Sequence, residues 1–288
     1  MSTITVGQRL PLVGWSASAG GLGRVEARRM LRHPAYWFGL AWLASLLTNL
    51  AIDVVRGRDE MWNVVYGATL LAVCLLYAPL TVISANRVAA ATYRRRVREP
   101  LDAAPLDDRQ RTIGAILGLL RGPVLVGVAA MVIMSVVAPF TAPEAGDPVN
   151  GIYGRGVLEH LQVPVLVLGA GLLGIALARW VPVPGALPLV VLTLWFGTSA
   201  LYAPADANGV VHAPTWFAPW ITWAVENASL TVDHPVGQEM WHLAYLLGLT
   251  LLAGVAALLR TPGNRRGLWI VAASAVVVTG LAGWQQLG

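Results

Sequence analysis

PVLVGVAAMVIMSVVAPF, Pro123–Phe140, is an unbroken run of eighteen residues without one ionisable side chain. A helix needs roughly 20 predominantly apolar residues to cross a hydrocarbon core about 30 Å thick. Only a helix or a closed barrel satisfies its own backbone in lipid, and a stretch of this length and uniform apolarity reads as the helix. Working outward, six more stretches are long and predominantly apolar: Trp37–Val54, Trp62–Ile83, Val157–Leu177, Ala186–Tyr202, Trp241–Leu259 and Leu268–Trp284. Trp37, Trp62, Trp180, Trp241, Trp269 and Trp284 fall at or beside their ends, where amphipathic rings prefer the headgroup level.

The whole composition follows from those runs. Of 288 residues, 56% are hydrophobic and 12% charged, about half the charged share of a soluble domain. The expected fold is an all-α integral membrane protein of six to seven transmembrane helices in one domain spanning 1–288. Residues 1–36 form an N-terminal segment, 37–259 a six-helix core, and 268–284 an additional seventh span.

Arginine fixes the expected orientation. With the N-terminus inside, segments 1–36, 84–122, 178–185 and 260–267 hold 17 arginines, against 3 outside (Arg56, Arg58 and Arg155). Acidic residues run the other way, 5 inside and 10 outside. Basic residues are retained on the cytoplasmic side, so the N-terminus is expected there. The early chain lacks a signal-peptide core, because Leu10–Val13 is too short. Arg28-Arg29 reads as the basic flank of the first span rather than a twin-arginine signal.

All 20 basic residues are arginine, a bias that fits a GC-rich bacterial genome. A P-loop requires a lysine that reaches the phosphates, so this chain holds none. The single cysteine, Cys74, excludes an internal disulfide and reads as a small buried hydrophobe. His-Glu-x-x-His, Gly-x-Ser-x-Gly and aspartate-rich phosphate motifs are all missing from the sequence. Span centres carry no charge, which argues against a proton-coupled carrier. Asp53 reads as a loop residue at the end of the first span, and Asn227-Ala228-Ser229 as a chance sequon.

Three segments outside the spans carry information. Gly23–His33, with Arg24, Glu26, Arg28, Arg29 and Arg32, is amphipathic and is expected to lie in the interface just before span 1. Residues 86–121 form the longest inside segment. Within it Glu99-Pro100-Leu101-Asp102-Ala103-Ala104-Pro105-Leu106 makes a proline-bracketed knob with apolar points between two arginine-rich flanks. Asp107 or Asp108 is the expected N-cap of a helix leading into span 3. That helix places Gly114, Gly118 and Gly122 on one face, and Ala170, Gly174 and Ala178 make a similar face on span 4; such faces let helices approach closely. The third segment, 203–240, puts Trp216, Phe217, Trp220 and Trp223 together, which suits short helices at or dipping into the outer leaflet. Glu159 and His160, and Asp233, His234, Glu239 and His242, read as polar residues at water-facing helix starts. Glu239 and His242, at i and i+3, share a face and are the nearest approach to a metal pair.

The order of these features resembles the permease subunit of ABC-2 type exporters. Arg24–His33 is similar to that family's connecting helix. Glu99–Pro105, followed by Arg109 and Arg111, resembles its coupling helix, and Ala213–Trp223 with Asp233–Met240 falls where the family has re-entrant helices between spans 5 and 6. The common core of the family has six spans, so Leu268–Trp284 departs from it. The resemblance implies a non-enzymatic chain in the bacterial cytoplasmic membrane, exporting a hydrophobic or amphipathic cargo. It implies a separate ABC ATPase subunit that holds the ATP and Mg, with no cofactor in this chain. It further implies a second permease subunit, identical or different, surrounding membrane lipids and no nucleic acid. Glu26, Arg29, Glu99, Pro100, Leu101, Asp102, Pro105 and Leu106 are the implied ATPase contacts; Trp216, Trp220, Trp223, Glu239 and His242 are the implied outer re-entrant or gate residues. The alternatives from the residues themselves are a membrane enzyme acting on lipids through the outside Glu/His groups, and a sensor or scaffold.

Overall fold

The computed structural model describes residues 12–57, 72–91, 107–141, 157–183, 185–201 and 238–286. Among them α1 spans Leu12–Leu31 and α2 Pro34–Val55. A π-helical stretch, Ala72–Tyr77, runs into α3, Ala78–Ala91. Then come α4 (Asp108–Arg121), α5 (Pro123–Thr141), α6 (Val157–Trp180), α7 (Ala186–Leu201), α8 (Gln238–Leu259) and α9 (Arg265–Gln285).

The helix boundaries follow local chemistry. Pro34 disfavours helical backbone at His33 and supplies the preset first position of α2. His33 Nδ1 accepts the Ala35 N–H at 3.2 Å, satisfying one of the donors a helix start leaves open. Asp107, not Asp108, caps α4: its carboxylate accepts the Gln110 N–H at 2.6 Å, and the Asp107 N–H donates to Gln110 Oε1 at 3.0 Å. Asn264 caps α9 through the Gly267 N–H.

Five helical segments among the described residues are long and apolar enough to cross a membrane: Ala72–Ala91, Asp108–Ile133, Val157–Trp180, Glu239–Leu259 and Arg265–Gln285. Ala186–Thr198 is apolar but shorter. The 22-residue α2 has Asp53 as its only charged side chain. Trp269, Ile270, Val276, Val277 and Leu281 of α9 and Leu125, Ile133 and Val136 of α5 lie exposed. An apolar exterior on long apolar helices is the inverse of a soluble surface, and the fold is that of an all-α membrane protein.

Helix α6 is the hub. It packs against α3, α5 and α8, and its small residues set those distances. A Cβ on Gly174 would collide with the Val82 carbonyl of α3, and Asn86 donates to the Gly174 carbonyl at 3.1 Å. A Cβ on Gly127 of α5 would stand 3.3 Å from Pro164 Cα. Ala170, Gly174 and Ala178 are all buried, as expected for a face shared with neighbours. Cys74 is buried beside Val73, Ala78 and Val82.

Two expectations need correction. The second apolar segment does not end at Ile83: α3 continues to Ala91. Ser84 and Asn86, expected in the inside segment 84–122, lie within that helix. Both are buried, Ser84 against the Tyr36 hydroxyl at 3.0 Å and Asn86 against Gly174, so their polarity is satisfied within the bundle. The amphipathic N-terminal helix is likewise not bounded by Gly23–His33. It occupies Leu12–Leu31, and Met30 is fully buried among Ala85, Leu119 and Ile175.

Candidate functional site

The bundle has two chemically different ends. One carries two groups of arginines: Arg109, Arg179 and Arg260 where the C-termini of α6 and α8 meet the N-terminus of α4, and Arg28, Arg29, Arg32 and Arg87 where the last turns of α1 meet the end of α3. Arg179 donates to Thr112 Oγ1 and, at 3.3 Å, to the Asp108 carbonyl. Arg260 lies over the Trp180 ring, 4.5 Å from its centroid. A Cβ on Gly263 would meet the Arg109 guanidinium.

At this end α1 and α4 run side by side in the same direction, with the glycine face of α4 as their seam. A Cβ on Gly118 would sit 2.8 Å from Glu26 Cβ and 2.9 Å from the Ala27 backbone nitrogen, and one on Gly122 would stand 3.3 Å from the Ala27 carbonyl oxygen. Arg121 Nη1 donates back to the Gly20 carbonyl at 2.6 Å. The connection 92–106 leaves α3 and enters α4 at this pairing. Glu99, Pro100, Leu101, Asp102, Pro105 and Leu106 lie outside the described residues.

Glu26 and Arg29 differ in availability. Glu26 is 6% exposed and faces α4, while Arg29 holds it at 3.2 Å with half of its own side chain in the open. Burial raises the Glu26 pKa above the usual carboxylate value, and the Arg29 charge and hydrogen bond oppose that rise.

The other end is polar and closed. His160 Nδ1 is 2.9 Å from Ser135 Oγ of α5. Gln162 Nε2 donates to the Glu239 carbonyl at 3.3 Å, joining α6 to α8. His242 Nδ1 is 2.6 Å from Gln286 Oε1, joining α8 to the end of α9. Glu159, His160, Gln162, His242 and Gln286 are all buried. The expectation that Glu159 and His160 face water is therefore incorrect: both are buried, His160 against Ser135 of α5. Glu239 is half-buried and His242 inaccessible. Trp216, Trp220 and Trp223 lie outside the described residues, as do Asp233 and His234. Gln162, Gln286 and Ser135 were not singled out in the sequence. Gln162 carries one local signal, its place three residues after Glu159 on the same helix face.

Among the described residues no three His, Cys, Asp or Glu side chains converge as a metal site would require. No family model, curated protein or solved structure matches the chain. Fold and surface define a class, the multi-helix membrane protein with one arginine-rich end.

Proposed function

We propose that this chain is the membrane-spanning subunit of an ATP-driven ABC-2 type exporter, driven by a separate ATPase at the arginine-rich end. The supporting observation is the α1–α4 seam. It puts the helix before the first span and the helix following the 92–106 connection into one body at one end of the bundle. A partner pressing on the Glu99–Leu106 knob would thereby move α4 and α1 together. Met30 and Leu119 carry that movement into the core around Ile175 of α6.

In this reading the arginine-rich end is cytoplasmic, by the weight of arginine there. Arg29, the knob and the open face of α1 contact the ATPase, and Glu26 acts from within the seam by holding Arg29. Two copies, or one copy and a related subunit, line the path for a hydrophobic or amphipathic cargo. The polar contacts at the far end, Ser135–His160, Gln162–Glu239 and His242–Gln286, form the closed outer gate.

The test is co-purification in mild detergent with the ATPase encoded beside this gene, followed by ATP hydrolysis, with Leu101→Arg and Leu106→Arg as controls. The expected result is a complex that both substitutions disrupt. If no ATPase associates under any condition, the proposal fails. The buried Glu159, His160 and His242 then favour the second reading, a membrane enzyme acting on lipids at the outer end. Loss of a lipid-modifying activity in Glu159→Gln would support it.

A further inference from the structure

Where α1 gives way to α2, a groove of about 540 Å³ opens between the last turns of α1 and the end of α3. Arg28, Arg29, Arg32, His33 and Arg87 line it, and among the described residues no carboxylate does. The nearest acid on α1, Glu26, faces α4 and is engaged by Arg29. The four arginines stay exposed; Arg29 spends its Nη1 on Glu26, and the exposed guanidinium groups can offer the forked hydrogen bonds that phosphate oxygens accept. His33 adds a further donor. Its Nδ1 accepts the Ala35 N–H, so the neutral ring carries its proton on Nε2. Burial and the neighbouring Arg87 charge hold its pKa below the usual value. Like charges so close repel one another, and an anion in the groove removes that repulsion.

The rest of the lining narrows the anion's class. Val25, Pro34, Val88 and Ala91 supply an apolar wall beside the guanidinium groups. Trp37 and Phe38, one turn into α2, are 70% and 69% exposed, which sets this level at the boundary between headgroups and acyl chains. A free phosphate uses neither the wall nor the depth; a phospholipid uses both.

We propose that the groove bounded by Arg28, Arg29, Arg32, His33 and Arg87 is a binding site for the phosphate headgroup of an anionic phospholipid, whose glycerol and acyl stem lie along Val88 and Ala91. The site needs only the membrane and these side chains, and stands whether or not an ATPase docks nearby. It differs from diffuse attraction of a basic surface to anionic lipid in having a defined stoichiometry and defined ligands.

The test is native mass spectrometry of the purified full chain, released from detergent with phosphatidylglycerol or phosphatidylcholine added. Variants are Arg32→Gln/Arg87→Gln, and Arg24→Gln/Arg265→Gln as a control of equal charge outside the groove. Expected is one retained phosphatidylglycerol per chain, favoured over phosphatidylcholine by tenfold or more. The groove variant should lose that preference and the control keep it. Inorganic phosphate at millimolar concentration should not displace the lipid. Equal loss in both variants, absence of preference, or displacement by inorganic phosphate would each overturn the proposal. So would a groove variant that keeps the lipid but loses the ATPase, since the arginines would then serve a protein partner.

Discussion

Adding an isopropyl group at Gly118 should pry α1 from α4, and the size of the effect can be worked from the seam. The Cβ alone would stand 2.9 Å from the Ala27 backbone nitrogen and 2.8 Å from Glu26 Cβ. Ordinary carbon contacts lie at about 3.5–4.0 Å, so α1 must retreat by roughly 0.6–1 Å, and a backbone atom cannot rotate aside. Overpacking of this kind costs about 1–3 kcal/mol for a modest insertion. Gly118→Val adds two methyls beyond that Cβ and regains only about 0.4 kcal/mol of helix propensity. A net loss of about 2–3 kcal/mol results, a fall in Tm of roughly 3–5 °C for a chain of this size. Gly21→Ala is the matched control, because its Cβ meets nothing within 4 Å. It should gain about 0.5–1 kcal/mol from backbone entropy. Intrinsic tryptophan fluorescence during heating in a fixed detergent gives both numbers. If Gly118→Val melts at or above the parent temperature, α1 does not lie on α4, and the mechanical argument built on that seam collapses.

Further outcomes follow from other contacts. Glu26→Gln should stabilise the protein at pH 7, because burial outweighs the help from Arg29 and the folded carboxyl binds its proton more tightly than the unfolded one. Its charge therefore weakens the fold above the folded pKa, and the mutant's advantage should vanish as pH falls below about 4.5. An advantage that persisted there would contradict the assignment. Gln286→Leu removes the acceptor 2.6 Å from His242 Nδ1 and should cost about 1–3 kcal/mol; an unchanged Tm would show that α9 is not latched to α8 there. In a Cys74→Ala background, single cysteines at Arg24 and Arg265 should react only with reagents admitted to the cytoplasm, and labelling of intact cells by an impermeant maleimide would reverse the topology.

The all-α membrane fold was readable because a long uncharged run leaves the backbone one way to satisfy itself, and five described segments are long and apolar enough to span. The Gly114-Gly118-Gly122 face was readable too, because its spacing of four predicts a close neighbour, and the neighbour is α1. The errors share a different cause. Ser84 and Asn86 fall in the expected inside segment 84–122, and Glu159 and His160 read as water-facing because they are polar at a helix start. Three of them have contacts with helices distant in sequence: Ser84 meets Tyr36, Asn86 meets Gly174, and His160 meets Ser135. The groove at Arg28 was hidden for the same reason, since Arg87 lies more than fifty residues along the chain and joins only when α3 runs past Ile83 to Ala91.

The crowding around α6 has an evolutionary consequence. Gly171, Gly174 and Ala178 are walled in by Leu119, Val82 and the core around Ile175. Mutational drift at those sites is confined to residues that add no volume. On α9, where Ile270, Val277 and Leu281 face outward, one apolar side chain can replace another freely. Descendants of this chain should thus keep the sizes along α6 while α9 wanders through the aliphatic alphabet, and a lineage comparison would find its slowest clock in the middle of the bundle.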